Sequence, residues 1–296
     1  MGIARAFLLA AALAFSACAG PGRTAAWETI PSGAVATSTA SSPKTKLAEA
    51  AFLRRDDKLE LERAIALFRE ATTEEPHDVA AMVGLARSYA FLAELHLMIE
   101  ESSAEARLLA AEQSMGWAER AMMAADPRFA AKVQAGVDLA EAVETLEAPA
   151  LDGAYWYTVG ALRFARAKGL RARLYYRDRL RAVYERLHAL SPDHFHGGPD
   201  RFLGVYYAGF ALQGTADLGR SEEAFHRSLA AAPDFLLTKV LEADALAVAR
   251  DDGALYRKLL TEVAQANPGS DPDTAPENRA AQRLAAKMLK GADARF

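Results

Sequence analysis

Asp193-His-Phe-His-Gly-Gly-Pro-Asp-Arg-Phe-Leu-Gly-Val-Tyr-Tyr-Ala-Gly-Phe210, followed by Ser221-Glu-Glu-Ala-Phe-His-Arg-Ser-Leu-Ala-Ala-Ala-Pro233-Asp234, decides the fold. Gly197-Gly198 break the preceding segment, and Pro199 suits the first turn of a new helix, where a missing N–H costs nothing. Leu203-Gly204 with Tyr207 has the L-G-x-x-Y form of a tetratricopeptide first helix. Its glycine admits a second helix at close range. That second helix carries Phe225 eight residues before Pro233, the usual aromatic-to-proline distance of the repeat. About five extra residues within Ala211 to Gly219 enlarge the turn between the two.

The same signature recurs upstream. Ala64, Phe68, Ala71 and Pro76 stand at the small, aromatic, small and proline positions of a second helix. Leu85-Ala86 and Tyr89 repeat the first-helix pattern, with Ala in place of Gly. Ser102-x-x-Glu105 reads as a capping box for a helix through Trp117 toward Ala125. Asp152 to Gly169 and Leu170 to Leu190 form another hairpin, with Gly169 as the stop. Thr274-x-Pro276-Glu277 caps a last helix to Lys290. Pro76, Pro127, Pro192 and Pro233 are separated by 51, 65 and 41 residues, never by 34, so the repeats are irregular. No alternating strand pattern of useful length occurs. The fold predicted is all-α: an irregular tetratricopeptide-like α-solenoid of helical hairpins over 45–296, with roughly a dozen helices.

The N-terminus reads differently. Arg5 precedes a ten-residue apolar run, Ala6 to Phe15, too short to span a bilayer as a mature helix. Phe15-Ser16-Ala17-Cys18 resembles a lipobox, with Phe where Leu is usual, and Cys18 is the only cysteine of the chain. Residues 1–17 are therefore expected to be a lipoprotein signal peptide and Cys18 the lipidated residue. Ala19 rather than Asp at the next position favours the outer membrane, facing the periplasm. An ordinary secretory peptide or an unprocessed anchor is the alternative. Residues 18–44 are rich in Ala, Ser, Thr, Gly and Pro, a flexible tether spanning about 25–30 Å.

Composition excludes several classes. The 296 residues carry a net charge of −4, so no global field favours nucleic acid. No G-x-S-x-G, Walker A, H-E-x-x-H or G-x-G-x-x-G motif occurs, and neither a cofactor nor a metal is expected. His194-x-His196 beside Asp193 and Asp200 lacks a third ligand at a telling spacing, so local hydrogen bonding is the plainer reading. Residues 18–146 carry 20 acids and 13 bases, whereas 147–190 carry 4 acids and 9 bases. That basic hairpin either pairs with acidic neighbours or offers a docking face or a carboxylate site. Residues 155–210 hold 12 of the 25 aromatics. Tyr155-Trp156-Tyr157 point about 100° apart, so one face of one helix cannot bury all three. Trp156, Tyr157, Tyr206, Tyr207 and Phe210 are accordingly expected to line a gap for a ligand, an aromatic-rich core being the alternative.

Taken together, the Cys18 lipobox, Gly197-Gly198-Pro199-x-x-Phe-Leu-Gly-Val-Tyr-Tyr and Pro233-Asp-Phe-Leu-Leu-x-Lys-Val resemble the T-component lipoproteins of tripartite, ATP-independent (TRAP) transporters. Asp251-Asp252-x-x-Leu-Tyr-x-x-Leu-Leu-x-x-Val and Asn278-Arg-x-Ala-x-x-Arg-Leu-Ala add to the likeness. The resemblance implies a helical body able to form a homotrimer, and a partner in the periplasmic solute-binding P-component. It also implies a channel or pocket for a hydrophobic or carboxylate ligand, and no catalytic residues. Two rivals are a tetratricopeptide lipoprotein scaffolding envelope assembly or secretion machinery, and an enzyme using His194, His196 and nearby acids.

Overall fold

Short polar side chains start most of the helices. The computed structural model describes residues 22–30, 42–210, 216–269 and 271–296. A one-turn helix, Ala26–Thr29 (α1), stands ahead of Pro43–Phe52 (α2), whose first turn is capped by Ser42 accepting from the Thr45 N–H. Asp57 and Asp78 cap Lys58–Glu74 (α3) and Val79–Phe91 (α4) in the same way. A π-turn, Leu92–His96, continues α4 into Leu97–Ile99 (α5). Ala104–Ala125 (α6) is capped by Ser103, one residue later than the expected Ser102 box, so Glu105 falls at the second helical position and closes no box. Asp126 caps Pro127–Gln134 (α7), and Asp138 caps Leu139–Ala142 (α8). Leu151–Lys168 (α9) and Leu170–Leu190 (α10) are the predicted hairpin about Gly169. His194–Tyr207 (α11) and Leu218–Ala231 (α12) are the pair read first from the sequence. Leu237–Glu242 (α13), a second π-turn at Ala243–Ala247, Gly253–Gln265 (α14) and Ala275–Lys290 (α15) complete the chain. Among the described residues there is no strand, and eleven α-helices run eight residues or longer, so the all-α solenoid-like reading holds.

The glycine-to-aromatic contacts do what the repeat pattern demanded. A Cβ on Gly204 would lie 2.7 Å from the Phe225 ring, so only glycine lets α12 reach α11. On the first pair the partner of Phe68 is Gly84, where a Cβ would fall 2.3 Å from the ring; the sequence reading gave that role to Ala86. Val79–Ile99 is apolar and long enough to cross a bilayer, yet it lies mostly buried inside this fold.

Helix α9 is the centre of the body, packed by α4, α6 and α10. This is why Tyr155, Trp156 and Tyr157 are all buried although no single face of the helix can hold the three: each turns to a different neighbour, as the aromatic-core alternative has it. The basic hairpin is largely partnered. Arg163 pairs with Glu94 on the first π-turn, Arg166 lies 3.6 Å from Asp244 on the second, and Arg179 pairs with Asp138.

The last helix returns to the first hairpin. Arg55, between α2 and α3, donates through Nε to Glu277 of α15 at 2.7 Å and through Nη2 to the Asp273 carbonyl at 2.7 Å. Both ends of this ion pair are buried, at 3% and 4% exposure. Arg279 holds Asp56 at 2.6 and 2.9 Å, and Lys287 donates to the Met98 carbonyl at 2.6 Å. Glu277 is thus no cap: Thr274 makes no capping bond, and the carboxylate turns to Arg55.

Candidate functional site

The residues before α2 are not the uniform tether read from composition. Arg23 reaches Glu119 of α6 with two bonds of 2.5 and 2.7 Å, and the Ala26 N–H donates to the same carboxylate at 2.7 Å. Trp27 lies edge-on to Phe129, with centroids 6.1 Å apart, and 5.9 Å from Tyr157. Gln134 then donates to the Ile30 carbonyl at 3.1 Å. Residues 22–30 are therefore part of the body, and the body resumes at Ser42, whose N–H donates to Asp78 at 3.0 Å. Residues 1–21, with Cys18 and the expected signal peptide, and residues 31–41 lie outside the described residues.

Beneath this segment is a cavity of about 260 Å³ lined by Trp27, Leu139, Tyr157, Tyr175, Tyr176 and Arg179, among others. Burial would lower the Arg23 pKa, but the bond and charge of Glu119 raise it overall, so its guanidinium is a fixed cation. Desolvation pushes the Tyr157 and Tyr176 phenols up, keeping them neutral donors. Arg179 stands 4.0 Å over the Tyr175 ring. The cavity offers apolar and phenolic walls, and its cations are matched by acids: Arg23 is held by Glu119 and Arg179 by Asp138, with Glu28 also in the lining, a set that suits a small, largely apolar molecule.

A second cavity, about 320 Å³, opens between α10 and α12 and is lined by Glu185, His188, Leu203, Tyr207, Arg220, Glu223 and Arg227. Arg220 covers Tyr207 at 4.1 Å, and Arg227 holds the buried Asp200 at 2.7 and 2.9 Å. Its charges are of both signs. The five aromatics expected in one gap are thus divided: Tyr157 lines the first cavity and Tyr207 the second. Trp156 is 7% exposed, wedged against Tyr155 at 4.9 Å and Phe195 at 4.7 Å. Tyr206 is half-buried, 5.5 Å from Tyr207 and 6.3 Å from Phe210, which is itself buried.

Near its start α11 is kinked by three successive left-handed residues, Phe195 (φ 44°), His196 (φ 58°) and Gly197 (φ 71°). For the two that are not glycine this costs roughly 1–2 kcal/mol each. Arg201 secures the turn. Fully buried, it donates to the Phe195 carbonyl at 3.0 Å, the His196 carbonyl at 2.9 Å and the Tyr155 hydroxyl at 2.9 Å. The two histidines take up local roles. His194 Nε2 lies 3.3 Å from Asp152 and lowers that carboxyl's pKa, while His196 stacks on Phe235 at 4.9 Å. Among the described residues no group of three or more His, Cys, Asp or Glu side chains is placed to hold a metal ion.

Burial, with Arg201 nearby, lowers the His196 pKa below 6.5. The unfolded chain then binds the proton more readily than the folded one. Stability is full above about pH 6.5 and is lost as pH falls through the depressed folded value. We expect thermal unfolding to show a smaller drop between pH 7.5 and 5 in His196→Asn, a residue that tolerates the left-handed turn, than in the parent chain. An equal drop would place the acid sensitivity elsewhere.

A family model described as TRAP transporter T-component matches residues 61–296. The chain belongs to the TRAP transporter T-component family. As a T-component it is an accessory protein of a TRAP transport system and associates with that system at the membrane. No curated protein matches it in sequence. The matched span starts inside α3, so the docked N-terminal segment of this T-component and α2 lie ahead of it. Arg23 and Trp27 were missed by the sequence reading. The available signal was that Trp27 is the sole aromatic of residues 19–44, an odd side chain for a tether.

Proposed function

We propose that this T-component is a periplasm-facing lipoprotein, anchored through acylated Cys18 in the outer membrane, that binds the solute-binding P-component and holds a small ligand without transforming it. Membership of the T-component family carries the reading. The cavity under residues 22–30 supports the ligand part, since its aromatic walls and phenol hydroxyls suit a small, largely apolar molecule. The mixed-sign cleft about Tyr207, Arg220 and Glu223 supports the protein-binding part, because interfaces favour tyrosine and arginine with a polar rim. A homotrimer, implied by the family likeness, would present three copies of each.

The test is co-purification. A C-terminally tagged chain, extracted from membranes with mild detergent, should bring down the P-component in amounts visible by mass spectrometry. Cys18→Ser should abolish the acyl mass on the N-terminal peptide. Recovery of secretion or envelope-assembly proteins with no P-component would turn the reading to a scaffold.

A further inference from the structure

Helix α10 opens with two leucines in water. Leu170 and Leu174 are 49% and 41% exposed and lie one turn apart, hence on one face. Lys168, Arg171, Arg173, Arg177 and Arg181 surround them, against a single acid, Asp178. Of the five bases, Arg177 is bonded to Asp178 at 2.9 Å and Arg181 lies 3.9 Å from the same carboxylate. Scattered exposed leucines are ordinary, but a pair set in a rim of one charge sign is not, least of all on a chain of net charge −4. An apolar centre with a basic rim suits the headgroup layer of an anionic bilayer.

The docked N-terminus limits how far a bilayer can lie from this helix. Arg23, pinned to Glu119, lines one cavity with Tyr175, Tyr176 and Arg179 of α10. Arg23 lies five positions after Cys18, at most about 18 Å even fully extended. From Tyr176 back to Leu170 is about 9 Å along the helix. A bilayer that holds position 18 thus lies within reach of the start of α10, where Leu170 and Leu174 stand on the side of the helix turned away from Tyr175, Tyr176 and Arg179. A free tether over 18–44 would leave the body unoriented, and the docked segment does not.

We infer that the Leu170–Leu174 face of α10, with Lys168, Arg171 and Arg173, rests on anionic phospholipid and sets which side of the body is turned to the transport system. The inference rests on the membrane attachment proposed above, by acylated Cys18 or by the uncleaved apolar run before it.

The test uses the full chain reconstituted in vesicles of phosphatidylethanolamine and phosphatidylglycerol containing brominated lipid. A bromine-quenched dye is placed on Leu174→Cys or, as control, on Leu59→Cys, a 76% exposed site on α3. Quenching should be about threefold or more stronger at 174 than at 59, and should fall with Arg171→Glu/Arg173→Glu or in phosphatidylcholine vesicles. Equal quenching at the two sites, or quenching indifferent to charge, overturns the orientation. Shielding of the 174 dye only after P-component is added assigns the face to an acidic protein and also overturns it. Two dyes per chain would report a free Cys18 and count against the acyl anchor alone, since both samples would share the second dye. Chain lost from the vesicles altogether would remove the attachment and the orientation together.

Discussion

Glu277→Ala is expected to destabilise the protein by about 3–5 kcal/mol, because it leaves the buried Arg55 guanidinium without its counter-charge. The arginine has no escape to solvent. It lies against the Phe52 ring at 4.7 Å and keeps bonds to the Phe52 and Asp273 carbonyls at 3.1 and 2.7 Å. Carbonyl oxygens accept its protons but do not replace a carboxylate's charge. Glu277→Gln should cost less, as it retains an acceptor. The double substitution Arg55→Met/Glu277→Leu should recover most of the loss, since no uncompensated charge is then buried. Denaturant unfolding of the four chains measures this directly. A loss under about 1 kcal/mol in Glu277→Ala would show that α15 does not close the body on its first hairpin.

Arg201→Ala should be nearly as damaging, by about 3 kcal/mol, for a different reason. No ion pair is broken: the neighbouring carboxylate, Asp200, is held by Arg227. What is lost is the donor set for the carbonyls of Phe195 and His196 and for the Tyr155 hydroxyl. The left-handed turn then has nothing to offset its strain. Burial of Tyr155, its phenol pushed up to about 12, keeps that hydroxyl a neutral group in need of a partner. Arg201→Lys should rescue only part, since an ammonium cannot span the geometry of a planar fork. Because Trp156 packs on Phe195, its fluorescence should shift to the red in Arg201→Ala before global unfolding. An unshifted emission with stability intact would mean the turn holds itself.

The helical hairpins were legible because their determinants are local. Gly204 with Phe225, Pro199 after a glycine pair and Gly169 between two periodic runs act over short distances, and each does in three dimensions what its spacing implied. Glu277 misled for the opposite reason: three residues after Thr274 it has the form of a capping glutamate, and only the fold brings Arg55 to it across 222 positions. The aromatic triplet Tyr155-Trp156-Tyr157 left two readings open, a gap or an aromatic-rich core. Periodicity counts the faces of a helix but does not say how many neighbours will cover them, and α9 is covered by several. The gap it implied became two cavities, one reached through Tyr157 and one through Tyr207. Composition misjudged the tether, since Arg23 and Trp27 weigh little in an Ala/Ser/Thr-rich stretch but find Glu119 and Phe129 about a hundred residues away.

Charge patterning was read more fully. The basic excess of 147–190 is answered mainly by acids on the π-turns and on the α7–α8 connection, as Arg163, Arg166 and Arg179 show. What stays unanswered is gathered at the start of α10, on the helix whose other side meets the N-terminal segment.

The most direct test of the central claim, that this helical body is a holding partner for a solute-binding protein, is a calorimetric titration of the purified chain with the P-component of its own transport system. Saturable binding that weakens with Arg220→Glu, while the circular dichroism of the variant stays unchanged, is the predicted result. No heat and no complex at concentrations up to about 100 μM, with both proteins folded, would contradict it.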